Sequence, residues 1–187
     1  MKTALIILAP GFEETEAVTI VDILRRGNIE VTSASLKESL LVKGAHAIEI
    51  KADTSLADVT EKLFDAVILP GGMGGTNNLL ASDDVRDILI RHAGQSRLVS
   101  AICAAPLVLE KAGLLANKKV AIYPGLEDKL LAASQAVDDM VVADGQIMTS
   151  KGPGTAMEFA LALVDTLAGK MMAEQVAAGL VYRSCKN

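Results

Sequence analysis

Cys103 follows the apolar run Leu98-Val99-Ser100-Ala101-Ile102 and precedes Ala104-Ala105-Pro106 and a helical segment, so its thiol is expected at a sharp strand-to-helix turn. Unpaired N–H groups and the dipole at a helix start favour thiolate over thiol, and would lower a pKa of roughly 8.5 in a free cysteine. Pro106 suits the first helical turn, where its missing N–H costs nothing. Two readings of Cys103 stand side by side: a nucleophile, or a small buried hydrophobe. Glu13, Glu14 and Glu16 open the first predicted helix, where all three carboxylates could simply complement the dipole. Alternatively Glu16, which directly precedes the apolar stripe, turns inward toward Cys103 while Glu13 and Glu14 stay solvated. A carboxyl packed beside a sulfur anion has its pKa raised by burial and by the neighbouring charge, so it can hold a proton and donate it.

The glycine run Gly71-Gly72-Met73-Gly74-Gly75 is read as a loop whose amides face a carbonyl oxygen or oxyanion, or as an ordinary tight turn. It carries no Gly-Lys-Ser/Thr ending, and Asn77 stands where a dinucleotide fingerprint needs glycine. Gly152-Pro153-Gly154-Thr155 builds a turn, with Thr155 expected to cap the following helix. The chain has only His46 and His92. His92 is expected on the solvent side of a helix end and His46 at the surface of a small hairpin, so neither suits a Cys-His-Asp triad. Two scattered histidines and two distant cysteines give no metal-ligand spacing, and neither a metal nor another cofactor is expected. Cys185 is read as an exposed tail thiol.

These residues need a frame that brings distant segments together. Thr3 to Ala9 is nearly all apolar, as expected of a strand buried on both faces of a parallel sheet. Residues 17, 20, 21 and 24 keep helical spacing up to a stop at Gly27. Glu30 to Leu36 reads as a strand, and Leu40 to Lys43 with Ala45 to Ile50 as a hairpin inserted around Gly44. Phe64 to Leu69 is a further strand, Asp83 to His92 a helix, and a helix from the Cys103 turn reaches about Lys111. Val120 to Tyr123 is read as a strand, Leu126 to Ala133 as a short amphipathic segment, and Met140 to Ala143 with Gln146 to Thr149 as adjoining strands about Asp144-Gly145. Ala156, Phe159, Ala160, Leu163, Val164 and Leu167 form a full helical stripe ending at Gly169, and Lys170 to Tyr182 a last helix. Strands alternating with helices predict an α/β, doubly wound sandwich with a mostly parallel central sheet over residues 1–187 as one domain. Loops after four strands, Pro10–Glu16, Pro70–Asn78, Cys103–Pro106 and Lys151–Thr155, are then expected to meet at one sheet edge.

Composition narrows the partners. The 187 residues are 51% hydrophobic and 22% charged, a globular balance that can bury a core without disulfides. A net charge of −5 with 3% aromatics argues against a nucleic-acid surface, and no apolar run is long enough for a membrane span. Two cysteines without a disulfide framework suggest a reducing cytoplasm, and a small polar ligand or protein is the expected partner.

Four motifs in order, Ala9-Pro10-Gly11-Phe12-Glu13-Glu14-Thr15-Glu16, Leu69-Pro70-Gly71-Gly72, Ala101-Ile102-Cys103-Ala104-Ala105-Pro106 and Thr149-Ser150-Lys151-Gly152-Pro153-Gly154-Thr155, resemble the ThiJ/PfpI superfamily. Within it they are most similar to the branch of the parkinsonism-associated protein deglycase and its small bacterial relatives. The resemblance implies a flavodoxin-like homodimer, a nucleophile-elbow cysteine at Cys103, an inward Glu16 bonded to it, and the amides of Gly72 and Ala104 near the sulfur. Gly71, Tyr123 and Pro153 are expected around the pocket. It further implies glutathione-independent processing of small dicarbonyls such as methylglyoxal to hydroxy acids, or reversal of early glycation. The alternative roles it implies are oxidation sensing, with Cys103 converted to sulfinate, and chaperone activity. Ala104 stands where protease-like members carry histidine, which weakens a peptidase reading. Tyr123 replaces the deglycase's histidine before the proline, and His46 loosely matches a family arginine.

Overall fold

The computed structural model describes residues 1–131 and 134–183. Cys185 and the end of the Leu126–Ala133 segment lie outside them. In chain order the elements are β1 (Thr3–Leu8), α1 (Glu14–Arg26), β2 (Glu30–Ser35), β3 (Leu41–Lys43), β4 (Glu49–Lys51), β5 (Thr54–Ser55), β6 (Ala66–Leu69), α2 (Met73–Leu80), α3 (Asp83–Gly94), β7 (Leu98–Ile102) and α4 (Pro106–Lys111). They continue with β8 (Lys119–Val120), β9 (Gln135–Ala136), β10 (Val141–Asp144), β11 (Ile147–Ser150), α5 (Ala156–Ala168) and α6 (Lys170–Gly179). The main sheet runs β10-β11-β7-β6-β1-β2-β5 and is parallel except for the β10–β11 pair.

Alternation along β1 explains the two layers that cover this sheet. Ala4, Ile6 and Leu8 belong to one apolar core with Ile20, Ile23 and Leu24 of α1 and Phe159, Leu163 and Val164 of α5. Leu5 and Ile7 face the other core, with Val85, Ile88 and Leu89 of α3 and Val108 and Leu109 of α4. Since both faces are dry from Ala4 onward, β1 shows no polar residue after Thr3, which is why it reads as a nearly continuous apolar run. The chain leaves β1 for β2 on one side and returns to β6 on the other. The crevice at the carboxyl ends of β1 and β6 is therefore the topological switch point, where open α/β sheets place ligands. Strands β11, β7, β6 and β1 are neighbours, so their four following loops do share one edge. Among the described residues no helix is long and apolar enough to cross a membrane.

Several expectations are corrected. The glycine run is not all loop: α2 starts at Met73, and Gly74 and Gly75 are its second and third residues. A Cβ on Gly75 would lie 2.8 Å from Phe12 Cα, so glycine at this position permits close packing of α2 on the β1–α1 turn. β8 stops at Val120, leaving Tyr123 beyond the strand in a turn. His92 is fully buried rather than solvent-facing. Its Nε2 accepts from the Phe64 N–H at 3.1 Å while Nδ1 lies 2.7 Å from the Ile88 carbonyl, a pairing that fits a neutral ring. Burial accordingly lowers its pKa. Thr155 stands before α5 but its side chain caps nothing in that helix. Its Oγ1 accepts from the Gly152 N–H at 3.1 Å and pairs with Ser150 Oγ at 2.7 Å, which holds the preceding turn.

Candidate active site

Cys103 is the first residue after β7, and its backbone is left-handed, with φ of 65°. That conformation is unfavourable for a residue with a Cβ and is held by its neighbours. The Cys103 N–H donates to the Ser150 carbonyl and its own carbonyl accepts from the Tyr123 N–H, both at 2.9 Å. The turn is thereby pinned to β11 on one side and to the Tyr123 turn on the other. The residue is 8% exposed, and its sulfur borders the cavity described below.

Glu16 comes from the first turn of α1 and is 0% exposed. Its Oε2 accepts from the Gly71 N–H at 2.7 Å, whereas Oε1 is buried without an N–H or O–H donor. The Cys103 thiol lies within interaction range of this carboxyl. Gly71 is glycine because nothing else fits: a Cβ there would sit 2.5 Å from Cys103 Cβ and 3.0 Å from Glu16 Oε2. Gly72 has φ of 82°, and a Cβ on it would come within 2.5 Å of the Gly11 carbonyl oxygen. This bend turns the Gly72 N–H toward the Cys103 sulfur, where the Ala104 N–H also points.

Burial raises the Glu16 pKa to about 7; the Gly71 hydrogen bond works against this and the Glu13 carboxylate reinforces it. Burial, followed by the Glu16 charge, pushes the Cys103 thiol up to about 12, against the two sulfur-facing amides. The expected lowering of the thiol pKa is thus overturned. α4 begins at Pro106, beyond Ala104 and Ala105, and has only six residues, so its dipole does not outweigh a dry site holding a second acid. A thiolate can form here when Glu16 takes the thiol proton, and the two groups titrate as a pair.

Glu13 and Glu14 are buried, not solvated. The Glu13 carboxylate accepts from the Glu16 N–H at 2.7 Å and so caps α1. Glu14 Oε1 accepts from the His46 and Ile48 amides and its Oε2 lies 3.0 Å from His46 Nδ1, tying the β3–β4 tip to α1. Burial alone would raise the Glu14 pKa, but these hydrogen bonds outweigh it and lower it. His46 keeps an exposed ring, as expected of a surface residue, yet serves as this clamp. Glu13, Glu14 and His46 also bring potential ligand atoms within 4.8 Å of one another, a cluster that spacing along the chain does not reveal. Their hydrogen bonds account for them as the clamp and the cap.

Beside the sulfur opens a cavity of about 240 Å³ lined by Met73, Cys103, Ala104, Tyr123, Pro124 and Leu126. Tyr123 is among these lining residues. Gly71 lies against Cys103 Cβ rather than in the wall, and Pro153 is not part of the lining; Gly152 instead backs the Tyr123 ring, since a Cβ there would be 3.3 Å from Tyr123 Cδ2. Nothing in the sequence marks Met73 and Leu126 for this role, because a wall residue and a core residue look alike in a string.

A mostly parallel sheet of this order, covered by helices on both faces, is a flavodoxin-like α/β fold. Its backbone superposes on the crystal structure of Drosophila melanogaster DJ-1beta with a TM-score of 0.95, at 46% identity over 97% of this chain and 98% of that one. The chain belongs to the DJ-1/PfpI family, whose model matches residues 2–166. Protein dj-1beta of Drosophila melanogaster is 46% identical over 96% of this chain and 97% of that protein. A Caenorhabditis elegans protein described as glutathione-independent glyoxalase DJR-1.2 is 39% identical over 90% of each chain. A structure described as Toxoplasma gondii DJ-1, oxidized, matches with a TM-score of 0.94 at 36% identity, over 97% of this chain and 99% of that one.

Proposed function

We propose that this protein is a cysteine-dependent, glutathione-independent enzyme for reactive dicarbonyls, with Cys103 as nucleophile and Glu16 as acid and base. The observation that carries this reading is the dry Cys103–Glu16 pair, in which a carboxyl titrating near 7 lies against an otherwise reluctant thiol. The sulfur attacks the aldehyde carbon of a 2-oxoaldehyde, the thiol proton passes to Glu16, and Glu16 hands that proton to the former carbonyl oxygen, giving a hemithioacetal and restoring the carboxylate. The Gly72 and Ala104 amides donate to that oxygen as charge develops. Glu16 then removes the proton from the sulfur-bearing carbon and returns one to the neighbouring carbon, converting the adduct to a 2-hydroxy thioester. Water releases the hydroxy acid and restores the thiol, so no oxidant or external reductant is consumed. In an early glycation adduct the sulfur would displace the amine from the carbinol carbon, the C–N bond breaking as the nitrogen takes the proton from Glu16, to give the same hemithioacetal, and a homodimer in the cytoplasm is the proposed working form. The worm glyoxalase supports the substrate class by similarity.

Turnover of methylglyoxal to lactate by the purified protein, with Cys103→Ser and Glu16→Gln alongside, tests the assignment. Both variants should fall at least about a hundredfold, in line with loss of a nucleophile or a general base; an unchanged rate in either removes that residue from the mechanism. A second reading, favoured by the oxidized Toxoplasma relative, makes Cys103 a redox sensor whose sulfinate is stabilised by a protonated Glu16. Peptide mass spectrometry after mild peroxide should then find two added oxygens on Cys103 before Cys185, and equal oxidation of both cysteines would defeat it.

A further inference from the structure

The cavity beside Cys103 is larger than the reaction just described requires. Methylglyoxal has five non-hydrogen atoms, whereas this cavity, half open to solvent, measures about 240 Å³, more than tenfold the ~10–15 Å³ that one water needs. The excess room is apolar. Beyond Cys103 and Ala104 it is bounded by Met73, Tyr123, Pro124 and Leu126, with no charged side chain among the described residues that line it. Two of these residues are large, apolar or amphipathic and exposed, Met73 at 42% and Tyr123 at 47%.

The wall is built into the same framework as the nucleophile. Tyr123 donates its N–H to the Cys103 carbonyl at 2.9 Å, and Leu126 donates to the Tyr123 carbonyl at 3.1 Å, closing the turn that carries Pro124. Met73 is the first residue of α2, directly after Gly72, whose amide faces the sulfur. The wall is therefore fixed, through short backbone connections, to the groups that contact the Cys103 turn or its sulfur. A rigid apolar surface at a fixed distance from a reacting atom selects by the group attached to the reacting carbonyl.

Resting on the dicarbonyl reading above, we infer that the preferred substrates are 2-oxoaldehydes whose ketone carries an apolar chain longer than methyl, seated against Met73, Tyr123, Pro124 and Leu126 while Cys103 takes the aldehyde carbon. Glyoxal, with no substituent to bury, is the poorest substrate in this scheme. The reacting dicarbonyl is unchanged along such a series, so rate differences report the wall rather than the chemistry.

The experiment measures kcat/KM for methylglyoxal, 2-oxobutanal, 2-oxopentanal and 2-oxohexanal. Burial of each methylene should raise kcat/KM about two- to fourfold until the cavity is filled. In the double variant Met73→Ser with Leu126→Ser, the ratio of 2-oxopentanal to methylglyoxal should fall about fivefold or more. Because this ratio is taken within one protein sample, partial unfolding of the variant cancels from it. A flat or falling series in the wild type, or an unchanged ratio in the variant, overturns the inference while leaving methylglyoxal turnover intact. Absence of turnover for every member, methylglyoxal included, overturns the dicarbonyl assignment and the selection with it.

Discussion

Replacing Glu16 with glutamine keeps an acceptor for the Gly71 N–H but removes a buried carboxyl whose pKa is raised to about 7. In the unfolded chain this carboxyl titrates near 4.5. Between these values the folded state holds more proton than the unfolded state, so stability falls as pH rises through the window. The shift corresponds to about 3 kcal/mol in all, most of which accrues between roughly pH 5 and pH 8. A neutral amide in place of the carboxyl bears no such cost. The stability of Glu16→Gln relative to wild type should therefore increase by about 2 to 3 kcal/mol from about pH 5 to pH 8. Urea unfolding of both proteins at half-unit pH intervals reads this difference directly. Contributions from His46, Glu14 and His92 are common to the two proteins and cancel. A difference that stays constant to within about 0.5 kcal/mol, the usual scatter for independent sites, would refute a dry, proton-holding Glu16.

Gly72→Ala should cost at least about 2 kcal/mol in the same assay, since it combines a left-handed backbone with a Cβ 2.5 Å from the Gly11 carbonyl oxygen. Cys103→Gly should be about 1 kcal/mol more stable than Cys103→Ala, because glycine accepts φ of 65° without strain; the reverse order would mean that the elbow is relaxed. By NMR the two histidines should titrate on opposite sides of 6.5, His46 above it through its hydrogen bond to Glu14 and His92 below it through burial. The His46 pairing stabilises the fold below 6.5 and is lost as pH rises through the raised value. Glu14→Gln should return His46 to the ordinary range without moving His92.

The layered fold is legible in the sequence because β1 is apolar at nearly every position and α5 keeps an unbroken stripe, two patterns set by local burial alone. The site is legible only in part. Cys103 announces itself by its place between strand and helix, yet the direction of its pKa does not, because desolvation and the Glu16 charge are properties of assembled tertiary structure. Glu14 and His46 lie 32 residues apart in sequence, and no local rule pairs them. The helix α2 is hidden by glycines that serve contact with Gly11 and Phe12, since packing there overrides helix propensity. His92 looks like an exposed helix end because its partner, the Phe64 amide, comes from the segment leading into β6.

Cys103 and Glu16 share one proton in the proposed chemistry, and alkylation of Cys103 by iodoacetamide tests this most directly. The rate on the Cys103 peptide, followed by mass spectrometry from about pH 5 to 9, should rise with a midpoint near 7 in the wild type, as Glu16 becomes able to accept the thiol proton. In Glu16→Gln that rise should vanish and reactivity should increase only at higher pH, where the thiol ionises unaided. Superimposable profiles for the two proteins would contradict the pairing on which the proposed chemistry depends.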